Sequence, residues 1–130
     1  MALMSVRRVA VWIDRKEAKI FELHPETFTV VNIEAPQHHL TRKAEEQGPH
    51  AGNKPFFDEV AKALLDAKEI LLVGPSSAKL DFLRHLHGHD EGLAKRVIGI
   101  ETLDHPTNNQ LAAYLRDYFH GMDRMQGLVH

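Results

Sequence analysis

The chain has no cysteine, so disulfide frameworks, thiol nucleophiles and thiolate metal sites are all excluded. It also has no basic excess. Sixteen Lys and Arg stand against eighteen Asp and Glu, a formal net charge of -2, which is not the balance of an autonomous nucleic-acid binder. Long apolar runs are missing as well. The N-terminal MALMSVRRVAVWIDRK has only a short apolar stretch before Asp14, too short for a signal-peptide core or a membrane span, so a soluble, cytoplasmic protein is expected. No internal repeat is visible. What remains is a chain of 130 residues, 43% hydrophobic, which suits one compact domain over 1–130.

Its opening is written in β-residues. Val6 to Asp14, VRRVAVWID, is nearly continuous in hydrophobicity from Val9, as a strand covered on both faces should be. Asp14 to Lys16 makes a turn into EAKIFEL (17–23), and His24-Pro25-Glu26 makes another into TFTVVNI (27–33), an antiparallel meander. From Ala35 to Asn53 apolar periodicity vanishes and Pro, Gly, His and charge dominate, the composition of a mobile loop.

Pro55 then opens a helix with Phe57, Val60, Ala61 and Leu64 on one face. KEILLVG (68–74) reads as a buried strand. Ser76 or Ser77 is placed to cap the next helix, whose apolar positions are Leu80, Leu83 and Leu86. RVIGIE (96–101) repeats the strand pattern. Thr107 or Asn108 caps a last helix with Leu111, Leu115 and Tyr118 in a stripe beside Tyr114, followed by a short tail over Met122 to Val129. The order β-β-β-α-β-α-β-α predicts an α/β fold, a three-layer α/β/α sandwich with a mixed sheet.

One junction has chemical potential. In VGPSSAK a buried strand ends against a helix N-terminus, the usual ligand crevice of open α/β sheets. Gly74, Ser76, Ser77 and Lys79 could together hold a phosphate through free N–H groups, the helix dipole and the ammonium. The spacing is not that of a Walker A loop, and Pro75 removes one donor, so nucleotide hydrolysis is not indicated. The competing reading is a tight turn with a serine cap. Asp14 after the first strand, and Asp104 and His105 after the last, are expected along the same sheet edge as neighbours of that turn. No nucleophile–base pair is specified, so no enzyme and no cofactor is expected.

The ten histidines include HLHGHD (85–90) and the pair His38-His39. On a helix, His85 and His87 point about 200° apart, and Gly88 is expected to end the helix before His89. No metal site is therefore expected. Arg7-Arg8 and Arg42-Lys43 are the compact basic clusters, the second cancelled by neighbouring acids in LTRKAEEQ. Trp12 and Phe21 read as core residues.

Taken together, VAVWIDRKEAKIFEL, PFFDEVAKALLDAKEILLVGPSSAK and RVIGIETLDHPTNNQLAAYLRDYF resemble the small bacterial translational machinery proteins. Those are similar to the third domain of the archaeo-eukaryotic class 1 release factor and of Pelota. The resemblance implies an L7Ae- or L30e-like α/β/α sandwich and a non-catalytic domain whose partners are the ribosome, RNA or a translation factor. A protein-interaction module or homodimer without an RNA role, and a small phosphate-processing enzyme using Asp14, Lys79 and His105, are the alternatives. There is no Gly-Gly-Gln tripeptide, the release-factor element for peptidyl-tRNA hydrolysis. The Asn-Glu pair of kink-turn binders is also replaced, by Gly52-Asn53 followed by Lys54-Pro55.

Overall fold

A computed structural model describes residues 7–36 and 54–125. The elements run β1 (Arg8–Ile13), β2 (Glu17–Leu23), β3 (Phe28–Glu34), α1 (Lys54–Ala63), β4 (Glu69–Gly74), α2 (Ala78–His89), α3 (Glu91–Ala94), β5 (Val97–Thr102) and α4 (Asn108–Met125). The expected order holds, with the one-turn α3 added between α2 and β5. Asp90 starts that turn by accepting the N–H of Leu93 at 3.1 Å.

The five strands lie in the order β3-β2-β1-β4-β5. β1, β2 and β3 form the antiparallel meander, while β1, β4 and β5 run parallel, so the sheet is mixed. β1 and β4 are central and almost wholly buried, which explains their unbroken apolar runs.

Alternation along these strands feeds two cores. Val9, Val11, Ile13, Ile70 and Leu72 face Phe56, Phe57 and Val60 of α1 and Phe82 and Leu86 of α2. Ala10, Trp12, Leu71 and Val73 face Leu111, Leu115 and Phe119 of α4. Helices on both sides of one sheet make the three layers expected, and Trp12 and Phe21 are core residues, 2% and 1% exposed.

Four helix details differ from the sequence reading. In α2 the sheet-facing line is Ala78, Phe82 and Leu86, while Leu80 is exposed and Leu83 half-buried. Residues four apart stack along one line, and Leu80 lies about 200° from Ala78. In α4 the stripe closes on Phe119, not Tyr118. The half-buried Tyr118 lies at the stripe's margin, where its hydroxyl donates to Glu101 at 3.1 Å. That helix also runs to Met125, taking in Met122 of the expected tail, and α2 runs through Gly88 to His89. The expected 35–53 loop lies outside the described residues apart from Ala35 and Pro36, as does the tail beyond Met125.

Candidate functional site

The carboxyl ends of β1, β4 and β5 meet at Gly74. Its backbone has φ +155°, and a Cβ there would lie 2.3 Å from the Ile13 carbonyl oxygen, so β1 passes where only glycine leaves room. The Gly74 carbonyl accepts the N–H of Leu103 at 3.0 Å, tying in the chain just past β5.

Lys79 completes this corner from the first turn of α2. The residue is only 5% exposed, and its ammonium donates to the carbonyls of Ser76 at 2.6 Å and Gly74 at 3.1 Å. The amine thus satisfies carbonyls of its own turn. Ser76 and Ser77 are exposed above it. Ser77 is the N-cap residue, yet its side chain makes no capping hydrogen bond, contrary to the sequence reading. Its φ of −79° and ψ of −5° are already helical, unlike the extended backbone that aims a cap hydroxyl at the first-turn N–H groups. The Ser77 carbonyl instead accepts from Leu80 and Asp81, both at 2.9 Å.

Along the same edge Asp14, Asp104 and His105 come together. Asp14 Oδ1 accepts the N–H groups of Lys16 at 2.8 Å and Glu17 at 2.9 Å, which builds the β1–β2 turn. Its other oxygen lies 3.6 Å from His105 Nε2, while His105 Nδ1 pairs with Asp104 Oδ1 at 2.8 Å. The two carboxylates, Asp104 foremost, hold the His105 imidazole above its ordinary pKa. The ring meets Trp12 edge-on at 5.2 Å, and Trp12 Nε1–H donates to the Asp104 carbonyl at 2.9 Å. Lys19 Nζ sits 5.6 Å from the Trp12 ring and 3.4 Å from Asn108 Oδ1.

Trp12, Lys19 and Asn108 were missing from the sequence reading of this edge. Trp12 and Lys19 are direct partners in the β1–β2 register, a pairing that follows once the Asp14 turn is counted. Beside them Leu103, Asp104, His105 and Pro106 line an open cleft of about 380 Å³. The edge therefore offers an exposed imidazole, carboxylates, serine hydroxyls and a cleft. His105 pairs with its carboxylates in contact with water, without the enclosure that strengthens acid–base chemistry.

The basic pair at the other end of β1 is committed internally. Arg7 pairs with Glu22 at 3.3 Å and with Asp66. Arg8 donates to Glu69 at 2.5 Å and bidentately to Asp123 at 2.5 and 3.0 Å, its guanidinium 5.1 Å from the Phe119 ring. Arg116 donates to the carbonyls of His24 at 2.8 Å and Thr27 at 2.6 Å, and Arg96 to those of Leu65 at 2.8 Å and Ala67 at 3.1 Å. Among the described residues no group of three or more His, Asp or Glu is arranged to hold a metal ion.

No family model and no curated protein matches the chain. Solved structures do match. Pelota from Archaeoglobus fulgidus superposes with a TM-score of 0.63 at 20% identity, over 85% of this chain and 31% of its own. Dom34 of S. cerevisiae, described as a translation termination-like factor involved in RNA quality control pathways and interacting with Hbs1, gives 0.58 at 12% identity, over 94% and 35%. The archaeal translation termination factor aRF1 gives 0.55 at 18% identity, over 92% and 39%. The chain thus shares its fold with about a third of the length of each.

Proposed function

We propose that this chain is a non-catalytic binding domain that works with the ribosome or with a translation factor, in the cytoplasm. The observation that carries the reading is the likeness of fold to Dom34, described as a translation termination-like factor, and to the translation termination factor aRF1, beside the likeness to Pelota. The edge carrying Ser76, Ser77 and His105 is the contact surface in this reading. Exposed serines at a helix start and an imidazole beside a cleft favour a polar or anionic group of the partner.

A protein face is favoured over an extended RNA track. Arg7, Arg8, Arg96 and Arg116 spend their guanidinium groups on carboxylates and carbonyls of this chain, and Lys79 does the same with its ammonium. Phosphate binding along a strand needs such groups turned outward; at this edge Arg15 and Lys16 are exposed, a pair and not a track.

The test is gradient sedimentation of the tagged protein from its own cells, at low and high salt, with a Ser77→Asp, His105→Ala double variant alongside. Co-migration with ribosomal particles or a translation factor is expected, weakened about tenfold in the variant, as for loss of one interface hot spot. A shallow salt dependence marks a protein contact and a steep one phosphate contacts. Wild-type protein that stays at the top of every gradient and brings down no translation factor overturns the reading.

A further inference from the structure

The seam between α1 and α2 holds an unusual arrangement of imidazoles. His85 has a side chain only 7% exposed, and its Nε2–H donates to Asp58 Oδ1 on α1 at 2.9 Å. Its ring lies 5.4 Å from Phe57, 6.4 Å from Phe82 in a parallel stack, and 4.3 Å from His89, also stacked. His89, one turn on, donates from Nδ1 to the His85 carbonyl at 2.9 Å, which fixes its ring against that of His85. We propose that this clasped pair makes the α1–α2 seam a pH-sensitive joint, closed when His85 is neutral and loosened when it takes a proton.

The charges around His85 decide the direction. On α1, Asp58 favours the imidazolium, but its second oxygen is already engaged by Lys54 at 2.9 Å, and that ammonium opposes a further positive charge nearby. On α2, His89 opposes it directly when charged, because the rings stack at 4.3 Å. Asp81, one turn before His85, is paired with Arg84 at 3.2 Å. Phe57 and Phe82 cover the ring and offer it no hydrogen bond in place of water. Burial first, and His89 next, outweigh Asp58, so the pKa of His85 lies below its ordinary 6.5.

The sign of the linkage follows. The unfolded chain binds the proton more readily than the folded one, so the stability held by neutral His85 is complete above pH 6.5. It is lost as the pH falls from there through the folded pKa. His105 has two carboxylate neighbours and no such burial, so it titrates on the other side of 6.5 and serves as an internal reference.

The experiment is an NMR titration of the imidazoles in the full chain, with amide exchange of α1 measured at pH 7.5 and 5.5. Expected are a His85 midpoint below that of His105, a shift upward in His89→Gln, and α1 amides that lose protection at pH 5.5 beyond the intrinsic change in rate. His85→Phe, which keeps the aromatic packing without a titrating group, should hold α1 protection equal at both values. A His85 midpoint at or above that of His105, or one unmoved by His89→Gln, overturns the proposal; both readouts stand if His85→Phe does not fold. Acid loosening of α1 that persists in a folded His85→Phe overturns it as well.

Discussion

Gly74 and Lys79 show how much a single side chain decides at the β4–α2 corner. A methyl group at Gly74 meets backbone, the Ile13 carbonyl oxygen, and backbone cannot swing aside as a flexible side chain can. Gly74→Ala is expected to destabilise the fold by about 2–4 kcal/mol, from the clash together with the positive φ. Urea unfolding checks it through a fall in midpoint at unchanged slope. Lys79→Met keeps the stem but leaves the Ser76 carbonyl, and one of the two bonds to Gly74, without a donor. A loss of about 1–3 kcal/mol is expected by the same measurement. If Lys79→Met were as stable as the wild type, the two carbonyl bonds would contribute nothing to the corner.

At the scale of elements, the parts are joined by polar links as well as by the two cores. Arg8 on β1 reaches β4 through Glu69 and the last turns of α4 through Asp123. The pairs are part-buried, with side chains 22% to 30% exposed, so partial solvent screening moderates their strength. Arg8→Met is expected to cost about 1–2 kcal/mol, chiefly by stranding the two carboxylates. Arg8 holds the Asp123 carboxyl below its ordinary 3.8, so its contribution is present above that pH and lost as the pH falls through the folded pKa. The stability gap between wild type and Asp123→Asn, followed by thermal unfolding, should be full at neutral pH and close in acid. At the other end of α4 a reciprocal box, Thr107 Oγ1 accepting from Gln110 N–H at 3.1 Å and Gln110 Oε1 accepting from Thr107 N–H at 2.9 Å, starts the helix where the sequence indicated.

For the molecule as a whole, the parallel order of β1, β4 and β5 gathers three carboxyl ends on one edge, and with them the Gly74 corner, Asp14 and His105. This is why residues about ninety positions apart, Asp14 and His105, come within 3.6 Å. The sedimentation outcome belongs to this scale, because it asks whether the edge as a surface, and not one residue, engages a partner. Among the described residues no helix is long and apolar enough to cross a membrane.

Element type and order were legible in the sequence by itself, because burial on both faces writes continuous apolar runs at β1 and β4, and amphipathic burial writes a helical period at α1 and α4. The Asp14 turn and the Thr107 cap were legible too, since each is a local hydrogen-bond pattern. Tertiary structure alone decided the rest. Whether Lys79 turns toward its own carbonyls or toward solvent depends on how closely β1 and β4 pack at Gly74. Whether His85, on an α2 that continues through Gly88, is packed against Phe57 and bonded to Asp58 depends on α1 lying alongside. Neither is a property of spacing along the chain, because the energies involved arise between elements that only the folded sheet brings together.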